Sequence, residues 1–507
     1  MLQGSLLGLM MTVGQAGEVA PPPVTIPAVP ATQLRSMPVA PPSARPGRTV
    51  IDLEAPVNPV TVTGIPVSMQ QPPMMPPVAP APMMPSVPAA PMGTMPATLP
   101  EGTATAGNCE TCEKEEEPEA KGHLMSFLEG THIGNVLDEK RISISGWTQL
   151  SYTHSNRNGT ALPVTWNDRP DVFQMQQTWL SLGRDVDTES GCSDWGFHVD
   201  AIFGTDYRFL LPRGFFNGQL QNANGNQNWY GFDAPQFYAS YYTPDLFEGT
   251  EVRVGRMLTP FGYESVKGAD SPFLSRSYAF NWAPPFSHMG IMFLPKFNDQ
   301  WSGVFMLANG NDVFIDPSQE IRFVGALTWA DETDSVTFGT SVGRGKFNAG
   351  RPFAPTTLGL MTEPAGRNNI NVFDLLWTHA ISDKMGYAFE VIYGYQTNVP
   401  ANVPGGIIDP SVVSGTAHWY SFVNYLTYSF SDCLGGILRL EAFNDVKGQR
   451  TGFEGWYLSA TAGVQVQLTD SIWLRPELRY DCNDYSNPFA GGRNNIFLAA
   501  ADLIIRW

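Results

Sequence analysis

Charge is scarce in this sequence. Lys, Arg, Asp and Glu make up 15% of its 507 residues, against about a quarter in soluble globular proteins, so part of the folded surface has to face something other than water. Long hydrophobic runs are missing too. No stretch in the chain approaches the about 18 consecutive apolar residues of a helical span, so any membrane crossing must be a closed β-barrel, the other structure that satisfies every backbone polar group in hydrocarbon. Basic residues are few, with 30 Lys and Arg against 48 Asp and Glu for a net charge of −18. That balance excludes nucleic acid as a partner, because phosphate neutralisation needs clustered cations. The five cysteines, Cys109, Cys112, Cys192, Cys433 and Cys482, are too few and too odd in number for a disulfide scaffold. Cys109 and Cys112 form an isolated CxxC with no second pair, read as a local disulfide or free thiols in preference to a metal or redox centre. The one GxSxG, GTSVG at residues 339–343, lies within a period-two segment and not at a strand-to-helix turn, and His154, His198, His288, His379 and His418 are scattered, so no nucleophilic constellation and no cofactor are expected.

What is present divides the chain. Residues 1–20 carry a short apolar stretch from Leu6 to Val13 and small residues around Ala16 to Ala20, as an atypical export signal lacking a basic start. Residues 21–121 are dense in Pro, Met, Ala and Val, as in QQPPMMPPVAPAPMMPSVPAAP, and end in the acidic run Glu113 to Glu119. Each Pro removes a donor and restricts its predecessor, so a disordered linker is expected there. Residues 122–139 suit a short helix with Leu124, Phe127, Leu128 and Val136 on its apolar side.

From residue 140 to 507 the period becomes two. Tyr387, Phe389, Val391, Tyr393 and Tyr395 share one face around Glu390; Leu438, Leu440 and Ala442 enclose Arg439 and Glu441; Leu474, Pro476, Leu478 and Tyr480 oppose Arg475, Glu477, Arg479 and Asp481. This is the alternation of strands with one apolar face. Links between the strands alternate in length. Short ones fall near 185–194, 244–249, 298–299, 331–334, 382–384, 431–435 and 469–470; long Gly, Asn and Pro-rich ones span 155–171, 208–233, 259–288, 309–320, 346–369, 397–416, 447–453 and 482–493. A soluble sandwich has no reason to segregate its loops in this way, whereas an outer-membrane barrel has tight turns at one end and long loops at the other. The fold class expected is all-β, a transmembrane antiparallel β-barrel of about sixteen strands, preceded by the disordered Pro-rich region. An even strand number puts both the N- and the C-terminus in the periplasm. At Pro476, which lacks a ladder donor, a bulge or local irregularity is expected.

With the apolar parity toward lipid, the lumen receives Arg141, Asp200, Arg253, Arg322, Glu390, Arg439, Glu441, Arg475, Glu477, Arg479, Asp481, Asp502 and Arg506. Such charges would cost several kcal/mol against lipid but can be solvated inside. Two compatible roles stay open for them: pairing across the wall, or setting a field that biases which solutes pass. The third long link, TPFGYESVKGADSPFLSRSYAFNWAPPFSH from Thr259 to His288, is rich in aromatic and charged groups. By position it resembles the loop that folds into the lumen of general porins, with Glu264, Lys267, Asp270 and Arg276 as charged members of a constriction; the other reading is an external surface loop. The last strand, NIFLAAADLIIRW, puts Leu503, Ile505 and Trp507 on one face and ends as clients of the bacterial barrel-assembly machinery do.

Through VRVGRMLTPFGYESVKGADSPFLSRSYAFNWAPPFSHMGI (Val252 to Ile291) and FEGWYLSATAGVQVQLTDSIWLRPELRYD (Phe453 to Asp481), the chain resembles the OmpL-like β-barrel porin family, abundant in planctomycetes. The resemblance covers residues 142–507. It implies an outer-membrane channel for passive diffusion of ions and small hydrophilic solutes, with outer-membrane lipids and the assembly machinery as partners. It names no solute, carries over no catalytic residue and leaves a homotrimer open. The alternative function is a non-conducting structural or surface-adhesion barrel, since long loops serve either.

Overall fold

The computed structural model describes residues 123–221, 226–315, 321–344, 370–403 and 407–507. The expected signal segment, the Pro-rich linker and the CxxC pair lie outside the described residues. Where one helix is expected over 122–139 there are two, α1 (His123–Leu128) and α2 (His132–Glu139). They are separated at Gly130, whose φ of 73° is open to glycine at little cost, and Thr131 caps α2 by accepting the Gly134 N–H.

The strands follow in order: β1 (Ser143–Ser155), β2 (Phe173–Arg184), β3 (Asp194–Gly204), β4 (Gly231–Thr243), β5 (Thr250–Leu258), β6 (Ser287–Pro295), β7 (Trp301–Ala308) and β8 (Arg322–Ala330). The second half is β9 (Asp334–Gly343), β10 (Ile370–Ser382), β11 (Met385–Val403), β12 (Ile407–Ser431), β13 (Leu434–Asp445), β14 (Gly455–Thr469), β15 (Ile472–Asn483) and β16 (Asn495–Arg506). Each pairs antiparallel with its neighbour in sequence, and β1 pairs with β16, from Trp147 opposite Arg506 to Ser155 opposite Leu498, so the sheet is a closed barrel of sixteen strands. Closure leaves no edge with unpaired backbone groups.

Two expectations from the sequence meet a different structure. The link expected at 397–416 is mostly strand: β11 and β12 run to 19 and 25 residues and pair beyond the rest of the sheet, with register shifts around Val399 and Pro400. The Pro and Gly content that reads as loop is absorbed there by irregular pairing. At Pro476 the register to β14 is unchanged, with Gly463 opposite Glu477 and Val466 opposite Leu474 on either side, and Pro476 stays opposite Ala501 of β16. The irregularity is therefore a lapse in the ladder without a bulge.

The outward face is a hydrocarbon band between two aromatic belts. Near the short turns stand Trp195, Tyr241, Trp301, Trp377, Tyr428 and Phe430; near the long loops stand Tyr152, Phe203, Phe232, Phe323, Tyr480 and Phe497, all exposed. Between them lie exposed Leu150, Val254, Leu307, Leu375, Leu440 and Leu478. Trp195 and Phe203 are eight residues apart on one strand, which at about 3.3 Å per residue and a strand tilt near 40° gives roughly 20 Å between belts, close to the height of an outer-membrane apolar band.

Candidate functional site: the barrel interior and its inward loop

Among the links at the long-loop end that turn into the barrel are loop 1 (residues 156–172), loop 2 (205–230) and loop 3 (259–286). Loop 3 is the deepest. It leaves β5 and returns into β6, which stand eight places from β13 and β14 in the ring of sixteen, so any contact with those strands crosses the lumen. The contacts are hydrogen bonds to loop backbone. Glu441 on β13 accepts the Tyr278 and Ala279 N–H groups at 2.9 and 2.6 Å, where a short helix, α3 (Tyr278–Trp282), begins. Glu477 on β15 accepts the Leu274 and Ser275 N–H groups at 2.9 and 3.2 Å. Opposite polarity serves the loop carbonyls: Arg475 donates to Gly268 O at 3.0 Å and to Ser271 O, and Arg479 donates to Arg276 O at 2.6 Å. Such charge-assisted bonds satisfy loop backbone that water no longer reaches.

Of the residues proposed for the constriction, Glu264 is 7% exposed and paired with Arg439 at 2.5 Å, and it also accepts the Ser277 N–H. Arg276 is buried, curls onto Phe273 O and Leu274 O, and stacks over the Trp166 ring at 4.9 Å. Lys267 keeps 20% of its side chain exposed, 3.3 Å from Asp200, and Asp270 is exposed. At Gly268 a Cβ would lie 2.1 Å from Gln149 Oε1, so glycine lets the loop lie directly on the wall.

Arg141, expected in the lumen, instead lies ahead of β1 in an exposed turn with φ of 54° and pairs with Asp194 beside the short turns, because the strand begins only at Ser143; the other expected lumen residues named below lie on the inward parity of their strands but differ in what they meet. Arg439, Glu441, Arg475, Glu477, Arg479 and Asp481 are 0 to 5% exposed beneath loop 3. Arg475 also pairs with Asp502 at 2.5 Å and Arg479 with Asp481 at 2.8 Å. Glu390 accepts the Tyr263 N–H at 3.2 Å. Arg322 is buried near the loop end and donates to Ile370 O. Arg253 is chelated by Glu251 through two bonds of 2.7 and 2.8 Å and remains 27% exposed.

Sequence reasoning missed the apolar half of the interior. Ile202, Met306, Val372, Trp419, Phe443 and Ile504 are buried on the inward parity and belong to one core with loop residues Trp166, Phe209, Phe280, Trp282 and Phe286. Loops 1 and 2 are part of this core. Trp282 Nε1 donates to Pro163 O, Trp166 Nε1 donates to Asn281 Oδ1 at 3.2 Å, and Arg208 of loop 2 grips Asp168 of loop 1 through two bonds. The available signal was strands apolar on both parities, such as VFMLA in β7 and LIIRW at the chain end. Toward the short turns, inward side chains including Gln236, Tyr238, Thr337, Thr378 and Gln465 are only half-buried. Water therefore reaches the inside of that half of the barrel.

A closed barrel of sixteen strands with an apolar band, aromatic belts, and a polar and loop-filled interior is an integral outer-membrane β-barrel of the channel type. Residues 141–506 match the family described as Putative beta-barrel porin-2, OmpL-like, and the chain belongs to that family of outer-membrane porin channels. No curated relative matches the sequence. Among solved structures it is similar to OprB of Pseudomonas putida, at 11% identity over 74% of this chain and 96% of that one with a TM-score of 0.47. It is also similar to the outer-membrane channel DcaP of Acinetobacter baumannii, at 10% identity over 72% and 97% with a TM-score of 0.43. A variant of the Rh. blastica porin is similar at 11% identity over 72% and 100%, with a TM-score of 0.42.

Proposed function

We propose that the chain is a passive diffusion pore for ions and small hydrophilic solutes whose bore is narrowed by loop 3. In this reading Glu264, Lys267, Asp270 and Arg276 are the charged members of the narrowing segment. The inward residues Arg439, Glu441, Arg475, Glu477, Arg479 and Asp481 hold it in place, and Glu390, Arg322 and Arg253 complete the charged wall. The observation that carries the reading is the crossing of the lumen by residues 259–286, anchored by backbone hydrogen bonds to Glu441 and Glu477. A loop fixed by carboxylates and guanidinium groups narrows a pore without closing and opening with each solute. The short turns and Trp507 share one end of the barrel, which supports a periplasmic location for both termini. Assembly by the barrel machinery through Leu503, Ile505 and Trp507, and a homotrimeric state, belong to the same proposal; the mass of unboiled, detergent-solubilised protein reads the latter.

The test is conductance. Purified full-length protein, shown to be folded by heat-modifiable migration, is added to planar bilayers, and stepwise current increments are expected. A folded preparation that inserts without passing current would overturn the reading in favour of a structural or adhesive barrel.

A further inference from the structure

Most buried carboxylates beneath loop 3 have donors. Glu264 pairs with Arg439, Asp481 with Arg479 and Asp502 with Arg475, while Glu441 and Glu477 each accept two loop N–H groups. Asp374 on β10 differs. It is 1% exposed, and neither of its oxygens receives an N–H or hydroxyl group from the described residues. Its carboxyl lies instead within hydrogen-bonding reach of that of Glu390 on β11, itself 2% exposed. The register sets this up: Asp374 is opposite Ile392 and Glu390 opposite Leu376, so the two are diagonal neighbours on the inward parity.

The pair lies where loop 3 first meets the wall. On the β9 side Asp374 faces Gly339, and loop 3 fills the space over that glycine, where a Cβ would lie 2.4 Å from the Phe261 side chain. Glu390 accepts the Tyr263 N–H at 3.2 Å. Gly262 has a φ of 100°, and a Cβ on it would lie 3.3 Å from Glu390 Oε1, so the loop backbone rests directly on the carboxyl. The inward neighbours on β9, Thr337, Gly339 and Ser341, do not titrate, nor do Leu376, Ala388 and Ile392 beside the pair. On β12 the Tyr425 hydroxyl donates to Glu264 at 3.1 Å, and its ring meets that of Tyr263 at 4.2 Å. On β13 Arg439 is taken by Glu264, and Glu441 by the loop backbone. Among the described residues no cation pairs with Asp374 or Glu390, and no third side chain completes a metal-binding set.

We infer that Asp374 and Glu390 share one proton, and that this proton latches the start of loop 3 to the wall. The inference rests on the pore reading and adds its regulation. Two carboxylates in contact, away from water and without a cation, do not both stay ionised. With the proton in place, one carboxyl donates to the other and Glu390 still accepts from Tyr263. When the proton leaves to the lumen water, two like charges touch. Water must then enter between them, and it can do so only by lifting Phe261 and Tyr263. Glu441 and Glu477 keep their hold on residues 274–279, so the start of the loop loosens while its middle stays anchored.

The test is the response of single channels to pH. In bilayers holding the full-length protein, raising both baths from mildly acid to alkaline pH should increase open-channel noise and upward conductance steps several-fold, reversibly. Asp374→Asn replaces the shared proton with an amide N–H that alkali does not remove, and should keep the current quiet throughout. Glu390→Gln does the same from the other side, its oxygen still accepting from Tyr263, and serves if the first variant does not fold by heat-modifiable migration. Infrared spectra of the folded barrel read the proton itself: the wild type should show one more alkali-sensitive carboxylic-acid band than either variant. A conducting wild type whose noise ignores pH, or an equal response in a folded variant, overturns the latch and leaves the pore standing. A response that follows added calcium at constant pH would assign the pair to a metal and overturn the shared proton. A folded wild-type protein that passes no current overturns the pore reading, and the infrared bands then still decide whether the proton is shared.

Discussion

The residues that hold the interior together are ionised groups deprived of water, and their value lies in what would happen without them. Arg439 is fully buried and faces Glu264 at 2.5 Å, while it also donates to Ser275 O and Thr461. Against a pair of apolar residues such an arrangement gains little, but losing one partner strands the other charge at a cost of about 3–5 kcal/mol. The pair therefore selects one position for loop 3 more than it adds stability. Asp206, at the start of loop 2, is a different case. It is buried, receives the Gln177 amide at 2.9 Å and, among the described residues, pairs with no cation, and burial lifts its carboxyl to about 7 despite the pull of Arg276 and Arg208. A carboxyl raised in the folded state holds a proton that the unfolded chain gives up near pH 4, so its contribution to stability is complete below about pH 4 and lost as pH rises through about 7. The urea midpoint of the refolded protein should therefore fall between about pH 5 and pH 8, and Asp206→Asn should flatten that slope. An equal slope in the variant would show that Asp206 is not the titrating group.

At the scale of the element, loop 3 behaves as an insert whose backbone groups are paired by side chains of the wall in place of a ladder. Glu441 and Glu477 between them satisfy four successive or near-successive N–H groups, on Leu274, Ser275, Tyr278 and Ala279. Replacing both with Gln keeps the shape but offers one acceptor oxygen where there were two, and removes the charge assistance. Single-channel conductance should then rise and become noisier as the loop leaves the wall, while the barrel stays heat-modifiable; unchanged conductance and noise would mean that the loop does not set the bore. Much of this element was legible in sequence. The strand faces showed because lipid requires an unbroken apolar parity, and the turns showed because their lengths alternate: the link expected at 185–194 separates β2, ending at Arg184, from β3, beginning at Asp194. The loop stood out through its charged and aromatic content. Its partners did not. Period two reveals that Arg439 and Glu441 point inward but not whether water or protein awaits them, and inward Val372, Trp419 and Phe443 carry no mark separating a filled lumen from a wet one. The part played by loops 1 and 2 depends on contacts more than a hundred residues apart, such as Trp166 with Asn281, which no local pattern encodes.

For the whole molecule the decisive event is closure, because fifteen antiparallel pairings between sequence neighbours can form locally while the sixteenth, β1 with β16, joins the ends of the domain. That seam is reinforced at the turn end. Trp507 exchanges two backbone hydrogen bonds with Gly146, N–H to O at 3.0 Å and O from N–H at 3.1 Å, and its ring lies so close over Gly146 that a Cβ there would be 2.5 Å from it. Just inside, Trp147 of β1 stacks on Trp179 of β2 at 5.2 Å and 7°. The terminal residue thus extends the ladder by one step beyond β16 and covers the one position in β1 that lacks a side chain to face the interface. Non-local pairings carry the largest loop-closure cost and reward it last, so removing their final contacts should slow closure more than it weakens the finished barrel. Deleting Trp507 is expected to lower the rate at which urea-unfolded protein becomes heat-modifiable in lipid vesicles, by several-fold, with a smaller change in the unfolding rate of molecules already closed. Gly146→Val should act in the same direction, since its side chain displaces the Trp507 ring while leaving the chain end intact. If the deletion sped unfolding and left the folding rate untouched, the contact would form after the closing step, and Trp507 would be a clasp on a finished barrel with no part in reaching it.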